Sequence, residues 1–485
     1  MFGTRRGPIV TPAPLVTAAN ADGVTPATDP RVKILLNGLN YAPEPTGIGK
    51  FSGEMMAWLA DRGHTCDVVT TPPYYPAWKM ADGYSGRRYR TESIDGVNVV
   101  RCPLWVPRRV TGVKRLIHLM TFGLSGLPVV LWRSLRRRPD IVMTVEPALA
   151  CAPGTYLAAK ISGARCWLHV QDLEVDAAFE LGLLENQMLR RLILAVERFW
   201  MRRFDVVSTI SPNMMLRLAE KGVDESRMVA FPNWVDADVV HPINDAQADT
   251  TADPAIKRLK ERFGIPADRF VVLYAGAIGA KQGLETVLDA AAITAGEPAI
   301  ATRRVERQTV PAASAIASED SPPPLHNPVH WVICGQGSYL PTLKSRIDSM
   351  DNVQWLPPQA SEDFNDLMNC GDVHVLPQRS GAADLVMPSK LTGMMSVGRP
   401  IVAACDPGTQ IADVLEGRGR VIPPGDADSL AAAVAELRSD PDLRSKYAAA
   451  ARDYAVEELD RGAILRRFET AARRVVRSEA RRRPR

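Results

Sequence analysis

Residues 376–404 read LPQRSGAADLVMPSKLTGMMSVGRPIVAA. The apolar run Val373 to Leu376 opens into a polar loop, a helix is expected from about Pro388-Ser389-Lys390, and Gly398-Arg399-Pro400 turns the chain into a second apolar run, Ile401 to Ala404. Strand, loop, helix and strand form the unit of a parallel α/β sheet, in which ligands bind beyond the carboxyl ends of the strands. The loop and the first turn of the helix therefore face a ligand. Ser389 is expected to cap the helix, with Lys390 in its first turn. The helix dipole already gathers positive charge at that end, so a lysine there suits a bound phosphate. A solvated lysine on a surface helix is the alternative.

The same unit recurs outward in both directions. Apolar runs predict strands at 32–39, 67–71, 97–101, 141–145, 166–170, 206–210 and 228–231, then at 270–275, 330–334 and 353–356, with helices between several of them. This alternation is that of doubly wound sheets. A length of 485 residues suits two or three domains. The polar stretch 241–268 has linker composition and separates an N-terminal domain, 31–240, from a C-terminal one, 269–445. Arg-rich helices and a basic tail occupy 446–485, to lie on a membrane surface or against the first domain. Residues 1–30 and 295–328 are expected to be a disordered lead and a disordered insertion.

A net charge of only +4 argues against a dedicated nucleic-acid binder. The seven cysteines are scattered, without a CxxC pair, and read as core residues of a reduced cytosolic protein. Between Arg115 and Arg133 lies LIHLMTFGLSGLPVVLW. It falls short of the ~20 residues that span a bilayer and has Pro128 near its centre. A helical hairpin in the headgroup region is expected, with 108–138 as a membrane-docking segment and Arg133, Arg136, Arg137 and Arg138 on anionic lipid. Core packing is the competing reading.

Three glycine-rich turns follow predicted strands: Gly47-Ile48-Gly49-Lys50-Phe51-Ser52-Gly53, Gly276 to Gly283, and Gly335-Gln336-Gly337. Glycine permits close backbone approach to an anion at a helix start. A dinucleotide site would also want an acid closing the second strand, which ends Val69-Thr70-Thr71, so a nicotinamide cofactor is disfavoured. His169 and Asp172 stand at a strand's carboxyl edge, placed for polar recognition or proton transfer. His169 held by a hydrogen bond beneath a loop is the plainer alternative.

Taken in order, Gly47-Ile48-Gly49, His169, Pro232-Asn233-Trp234-Val235-Asp236, Gly276 to Gly283, Gly335-Gln336-Gly337 and Pro388 to Pro400 resemble the family 4 glycosyltransferases of GT-B fold, and among them the WcaI-like enzymes of colanic acid and related exopolysaccharide synthesis. The resemblance spans 32–474. It implies two Rossmann-like domains facing each other across a cleft, with C-terminal helices returning toward the first. It implies transfer of a sugar, with retention of anomeric configuration, from a GDP- or UDP-sugar to a lipid-linked saccharide at the inner face of the cytoplasmic membrane, with no cofactor and no metal. The donor would lie on Gly276, Gly279, Gln282, Gly283, Gly335, Gly337, Pro388, Ser389 and Leu391. Gly47, Ile48, Gly49, Lys50 and Asp172 would approach the diphosphate and acceptor, and His169 the donor sugar.

Two departures from the family pattern bear on the chemistry. Aligning Gly276 and Gly283 puts Ala277 and Gln282 where relatives carry Arg and Lys, so Lys281 and Lys390 must supply the positive charge. Leu385 and Gly393 stand where a pair of glutamates is expected, leaving Asp384 as a displaced candidate. The catalytic candidates are therefore His169, Lys281, Lys390 and Asp384. The Asp-x-Asp matches at 236–238, 426–428 and 440–442 look like turns or helix caps rather than a metal site. A sugar-nucleotide epimerase, a nicotinamide oxidoreductase and a non-catalytic nucleotide-sugar binder are the alternatives.

Overall fold

A computed structural model describes residues 31–45, 47–108, 112–146, 149–172, 187–243, 253–296, 328–380 and 388–480. The expected lead 1–30 and most of the expected insertion, 297–327, lie outside the described residues, as does Asp384.

The first sheet contains β1 (Lys33–Asn37), β2 (Thr65–Thr70), β3 (Arg90–Ile94), β4 (Val97–Arg101), β5 (Ile141–Glu146), β6 (Arg165–Val170), β7 (Val206–Thr209) and β8 (Met228–Ala230), in the order β3-β4-β2-β1-β5-β6-β7-β8. The second contains β9 (Phe270–Ala275), β10 (Val329–Cys334), β11 (Val353–Leu356), β12 (Val373–Leu376), β13 (Ile401–Ala404) and β14 (Arg420–Ile422), in the order β11-β10-β9-β12-β13-β14. All pairs are parallel except β3 with β4. These strands read as continuous apolar runs because helices cover both faces: every residue of β9, β10, β12 and β13 is buried. The order reverses between β1 and β5, and between β9 and β12. The loops after those strands flank the crevice where a doubly wound sheet binds ligand.

Strand β3 went unread in the sequence. Its hairpin to β4 turns through Asp95-Gly96, both at positive φ (48° and 76°), the backbone that a two-residue hairpin favours.

The apolar stretch after Arg115 is one helix, Gly112–Arg137, with Pro128 inside it, and not a hairpin. As a single element, Lys114–Arg137 is long and apolar enough to cross a bilayer. Its inner row, however, with His118, Phe122, Val130, Arg133 and Ser134, is buried in the first domain. Arg133 is therefore not a lipid contact: its guanidinium donates to Asp67 of β2 at 2.5 Å, with both side chains buried. Asp67 is thereby committed to structure, in keeping with the absence of a ribose-binding acid at the end of β2. All seven cysteines are free and buried.

Part of the expected linker is structured. Residues Pro254–Arg262 form a helix of the second domain, whose Lys260 is buried against Asp372 at 3.3 Å. The Asp-x-Asp segments behave as caps and turns. Asp426 and Asp440 accept from the Ser429 and Leu443 amides at helix starts, and Asp236 accepts from the Asp238 amide and pairs with Arg461 at 2.9 Å.

The chain crosses between domains twice. The forward crossing at Val235 bridges to Asp460 on the return, and the amides of Val235 and Arg461 donate to Leu459 O and Val235 O, each at 2.9 Å. Arg452, on the helix Pro441–Glu458, donates to the carbonyls of Val240, Ser396 and Ala237 and so clamps this crossover to the helix Ser389–Ser396. The last helix, Arg461–Ala480, then packs on the first domain. Phe468 stacks on Phe231 at 4.6 Å, and Glu469 accepts from Arg62 at 2.8 Å and meets His64 at 3.0 Å. The basic C-terminal helix thus packs its apolar row, Ile464 to Val476, on the first domain.

Candidate active site

The opening stretch folds as its pattern predicts, with one correction: Pro388 occupies the cap position, and Ser389 is the first helical residue, exposed, without a side-chain cap bond. Lys390 then points back toward β9. Its ammonium donates to Tyr274 Oη at 2.6 Å, and Tyr274 donates in turn to Ala277 O at 2.5 Å. An ideal Cβ on Gly276 would lie 2.6 Å from Lys390 Cε, so only glycine leaves a passage for the lysine stem. Burial, and then the nearby Lys281, push the Lys390 ammonium down to about 7. Lys281 thus acts on Lys390 as a like charge, and among the described residues no carboxylate of the second domain is bonded to either. Such an arrangement is unfavourable when empty and is relieved by an anion.

The platform under them is made of two glycine turns. The amides of Gly276 and Ile278 donate to Cys334 O and Gln336 O, each at 2.9 Å. A Cβ on Gly335 would fall 1.9 Å from Gly276 O, and one on Gly337 would fall 2.1 Å from Ile278 O. These glycines are required by contact between the loops. Gln282 is spent locally, its Oε1 accepting from the Gly279 amide at 3.0 Å, and Gly283 adopts φ +61° to enter the helix Leu284–Thr294. Leu391 turns into the core, so its side chain is not a ligand contact. Gly393 is buried facing the Phe364 ring.

Across the cleft, Asp172 follows β6. Burial pushes its carboxyl up, with Lys281 of the second domain and Arg115 pulling it back down. Its Oδ1 is sealed from solvent and has no hydrogen-bond partner among the described residues. The loop after β1 contributes Glu44, whose Oε1 accepts from the amides of Tyr74 and Tyr75 at 3.1 Å and whose Oε2 accepts from Asn40 at 2.8 Å. Burial raises its carboxyl above the usual range.

Gly47, Ile48, Gly49 and Lys50 form the first turn of the helix Gly47–Asp61. A Cβ on Gly49 would sit 2.6 Å from Glu44 Oε2, so this glycine accommodates the protein's own carboxylate. Lys50 is turned aside toward Glu54, 3.8 Å away. His169 is buried, its Nδ1 2.9 Å from Ser208 Oγ and its ring against Phe231, and burial pushes it down to about 3. It is therefore a neutral imidazole, bonded to the neighbouring strand β7 rather than beneath a loop.

The structure thus brings Lys390 against Gly276, lets the charge of Lys281 act on both Lys390 and Asp172, and leaves Lys50 on Glu54. Sequence reasoning missed Tyr274, Glu44 and Arg379. A tyrosine closing the apolar run FVVLYA just before a glycine loop was the available signal for the first. Arg379 donates its amide to Lys281 O at 3.1 Å and its guanidinium to Glu285 at 2.6 Å, beside the same turn. Among the described residues no three His, Cys, Asp or Glu side chains gather as a metal site.

Comparison with known proteins accords with this geometry. The family model described as Glycosyl transferase 4-like domain matches residues 46–234, and that described as Glycosyl transferases group 1 matches residues 255–454. The chain is 37% identical, over 90% of its length and 98% of the relative's, to the Escherichia coli (strain K12) protein assigned to colanic acid biosynthesis as glycosyl transferase WcaI. It is 28% identical to the alpha-D-kanosaminyltransferase of Streptomyces kanamyceticus, over 48% of this chain and 53% of that one. Among solved structures, sucrose-phosphate synthase from Thermosynechococcus elongatus is similar with TM-score 0.68 at 15% identity, over 92% of this chain and all of the other. Anabaena HepE in complex with UDP-glucose is similar with TM-score 0.61 at 16% identity, over 91% of this chain and all of the other. At these identities the structural likenesses speak to the fold.

Proposed function

The chain belongs to the family 4 glycosyltransferases of GT-B fold, and from that premise we propose that it moves a sugar, with retention of configuration, from a UDP- or GDP-sugar to a lipid-linked saccharide in exopolysaccharide synthesis of the colanic acid type. The observation that carries this reading is Lys390, its stem crossing Gly276 and its ammonium on Tyr274 Oη, depressed by burial and then by the charge of Lys281. Negative charge grows on the leaving diphosphate as the glycosidic bond lengthens toward an oxocarbenium-like transition state. Preorganised donors aimed at that charge supply most of the catalysis. Lys281 and Lys390 take this role, on a turn whose Gly276, Ile278 and Gly279 amides are already bonded within the protein. Asp172, with its unpartnered Oδ1, is proposed to receive the acceptor hydroxyl. His169, neutral and fixed by Ser208, is proposed to bound the donor sugar's pocket without carrying charge.

No cofactor or metal enters the proposed reaction, because the two lysines neutralise the diphosphate. The lipid-linked acceptor places the enzyme on the anionic inner surface of the cytoplasmic membrane. The test is a panel of UDP- and GDP-sugars. One of them should raise the melting temperature of the purified chain by mass action and should then be consumed only when a lipid-linked saccharide is supplied. A chain stabilised by none of them, or one that turns over a nicotinamide cofactor, would refute the reading.

A further inference from the structure

We propose that Tyr274 is a positioning residue for the transfer: its hydroxyl oxygen and its ring hold the Lys390 ammonium beside the Gly276 turn, against the repulsion of Lys281. The inference rests on the assignment of Lys390 to the diphosphate made above and says what aims that lysine.

Tyr274 stands one residue before the end of β9, the strand beside the reversal with β12, so its carboxyl end borders the crevice. Alternation along the strand places its side chain with Phe270 and Val272, in the core shared with Ile278 and Leu284, and it is fully buried. The hydroxyl alone has polar partners. It donates to Ala277 O at 2.5 Å and accepts from Lys390 Nζ at 2.6 Å. Burial pushes the phenol well above its ordinary range, so it stays un-ionised and takes no part in proton transfer. A phenol has one proton. With that proton committed to Ala277 O, only lone pairs face Lys390, and a charged donor is held there more strongly than a neutral one. The ammonium also lies 4.4 Å from the centroid of the Tyr274 ring, whose face attracts a cation.

A lysine stem is flexible, and a like charge nearby would swing its end away. The titratable groups facing this ammonium are Tyr274, from β9, and Lys281, from the turn before the helix Leu284–Thr294. Among the described residues Tyr274 Oη is its sole hydrogen-bond partner, which leaves two of its three N–H groups for a ligand. A carboxylate in the place of the phenol would neutralise the lysine and oppose an incoming diphosphate. The phenol fixes the direction of the ammonium and leaves its charge uncancelled.

The test compares the parent, Tyr274→Phe, Lys390→Met and the double variant, as full chains, by calorimetric titration with UDP and GDP over a range of pH and by turnover of the parent's own donor. Tyr274→Phe keeps the ring and removes the oxygen. An ammonium without its acceptor gives up its proton sooner, so the pH above which nucleotide affinity falls should move about one unit lower, with affinity about tenfold weaker than the parent's above the parent's own downturn. Well below both downturns the two should bind within about threefold of each other. kcat should drop about tenfold, because an unheld ammonium is no longer preorganised. In the Lys390→Met background the same change should alter affinity and kcat by less than about twofold, since no ammonium remains to be held. Parental kcat and an unmoved downturn in Tyr274→Phe would overturn the proposal and leave the transfer reading standing. An equal loss with and without Lys390 would also overturn it, assigning the hydroxyl to the Ala277 turn alone. So would tighter nucleotide binding by Tyr274→Phe, which would make the hydroxyl a competitor of the ligand. The shift in a chain that binds nucleotide yet transfers to no acceptor would uphold the pair and refute the transfer. Binding of neither nucleotide by the parent would overturn both.

Discussion

Replacing Lys390 with Met keeps an unbranched stem beside Gly276 and removes the charge. An ammonium held at about 7 rather than 10.5 is disfavoured by roughly 5 kcal/mol in the empty site. A phosphate oxygen at ~4 Å offsets about 4 kcal/mol per unit charge at an effective dielectric near 20, so a bound diphosphate raises the lysine by several pKa units. Binding above pH 7 therefore takes up a proton. Affinity for the nucleoside diphosphate should be level below pH 7 and fall by up to about tenfold per pH unit above it, until the pKa of the complex is reached. In the empty protein the sign is opposite. The unfolded chain holds this proton more tightly, so the group's contribution to stability rises with pH from about 7 toward 10.5. Lys390→Met should lose both slopes, lower kcat by about a hundredfold and melt no earlier than the parent. Calorimetry in buffers of differing ionisation enthalpy reads the proton uptake, and urea titrations read the stability. Turnover at the parental rate, or an unaltered fall in affinity above pH 7, would refute the assignment of Lys390 to the diphosphate.

Gly335→Ala must push a methyl into Gly276 O, so it should cost at least about 2 kcal/mol in urea denaturation and abolish thermal stabilisation by the donor. Asp172→Asn should lower kcat by about 10- to 100-fold while nucleotide affinity holds or rises slightly, because a carboxylate near Lys281 opposes the incoming anion. An unchanged kcat removes Asp172 from the reaction. Asp67→Asn should destabilise the fold by about 3–5 kcal/mol by stranding Arg133, whereas Asp67→Leu combined with Arg133→Met should recover most of that loss and sediment with anionic vesicles as the parent does. Exhaustive chelation should leave turnover unaltered, and a rate restored only by a divalent cation would count against diphosphate neutralisation by the two lysines.

Much of the architecture was legible because its determinants are local. Apolar runs of strand length, separated by glycine turns and amphipathic stretches, located all the parallel strands except β14. The hairpin strand β3 was missed, although Asp95-Gly96 is a hairpin signal, because its burial alternates weakly and it carries few apolar residues. The long apolar helix was misread as a hairpin at Pro128. A proline removes one backbone donor, and packing of the inner row holds this helix continuous through it. The same burial diverted Arg133 from lipid to Asp67.

In the site, the glycine pattern identified the right turns for a partly different reason. Gly335 and Gly337 are demanded by contact with another loop, and Gly49 by Glu44. None of those partners can be inferred from spacing. By itself the sequence determined two parallel sheets, the turns that edge their cleft, and a lysine at the start of the helix Ser389–Ser396, since period, turn chemistry and capping act over a few residues. Only the tertiary structure decided that Lys390 meets Tyr274, 116 positions earlier in the chain, and that Arg133 meets Asp67, 66 positions earlier. It also decided that the charge of Lys281 acts on the Asp172 carboxyl of the other domain. The charge of each group is written in the chain, but its energy depends on the water it loses and the partner it meets, and the packing of distant segments sets both.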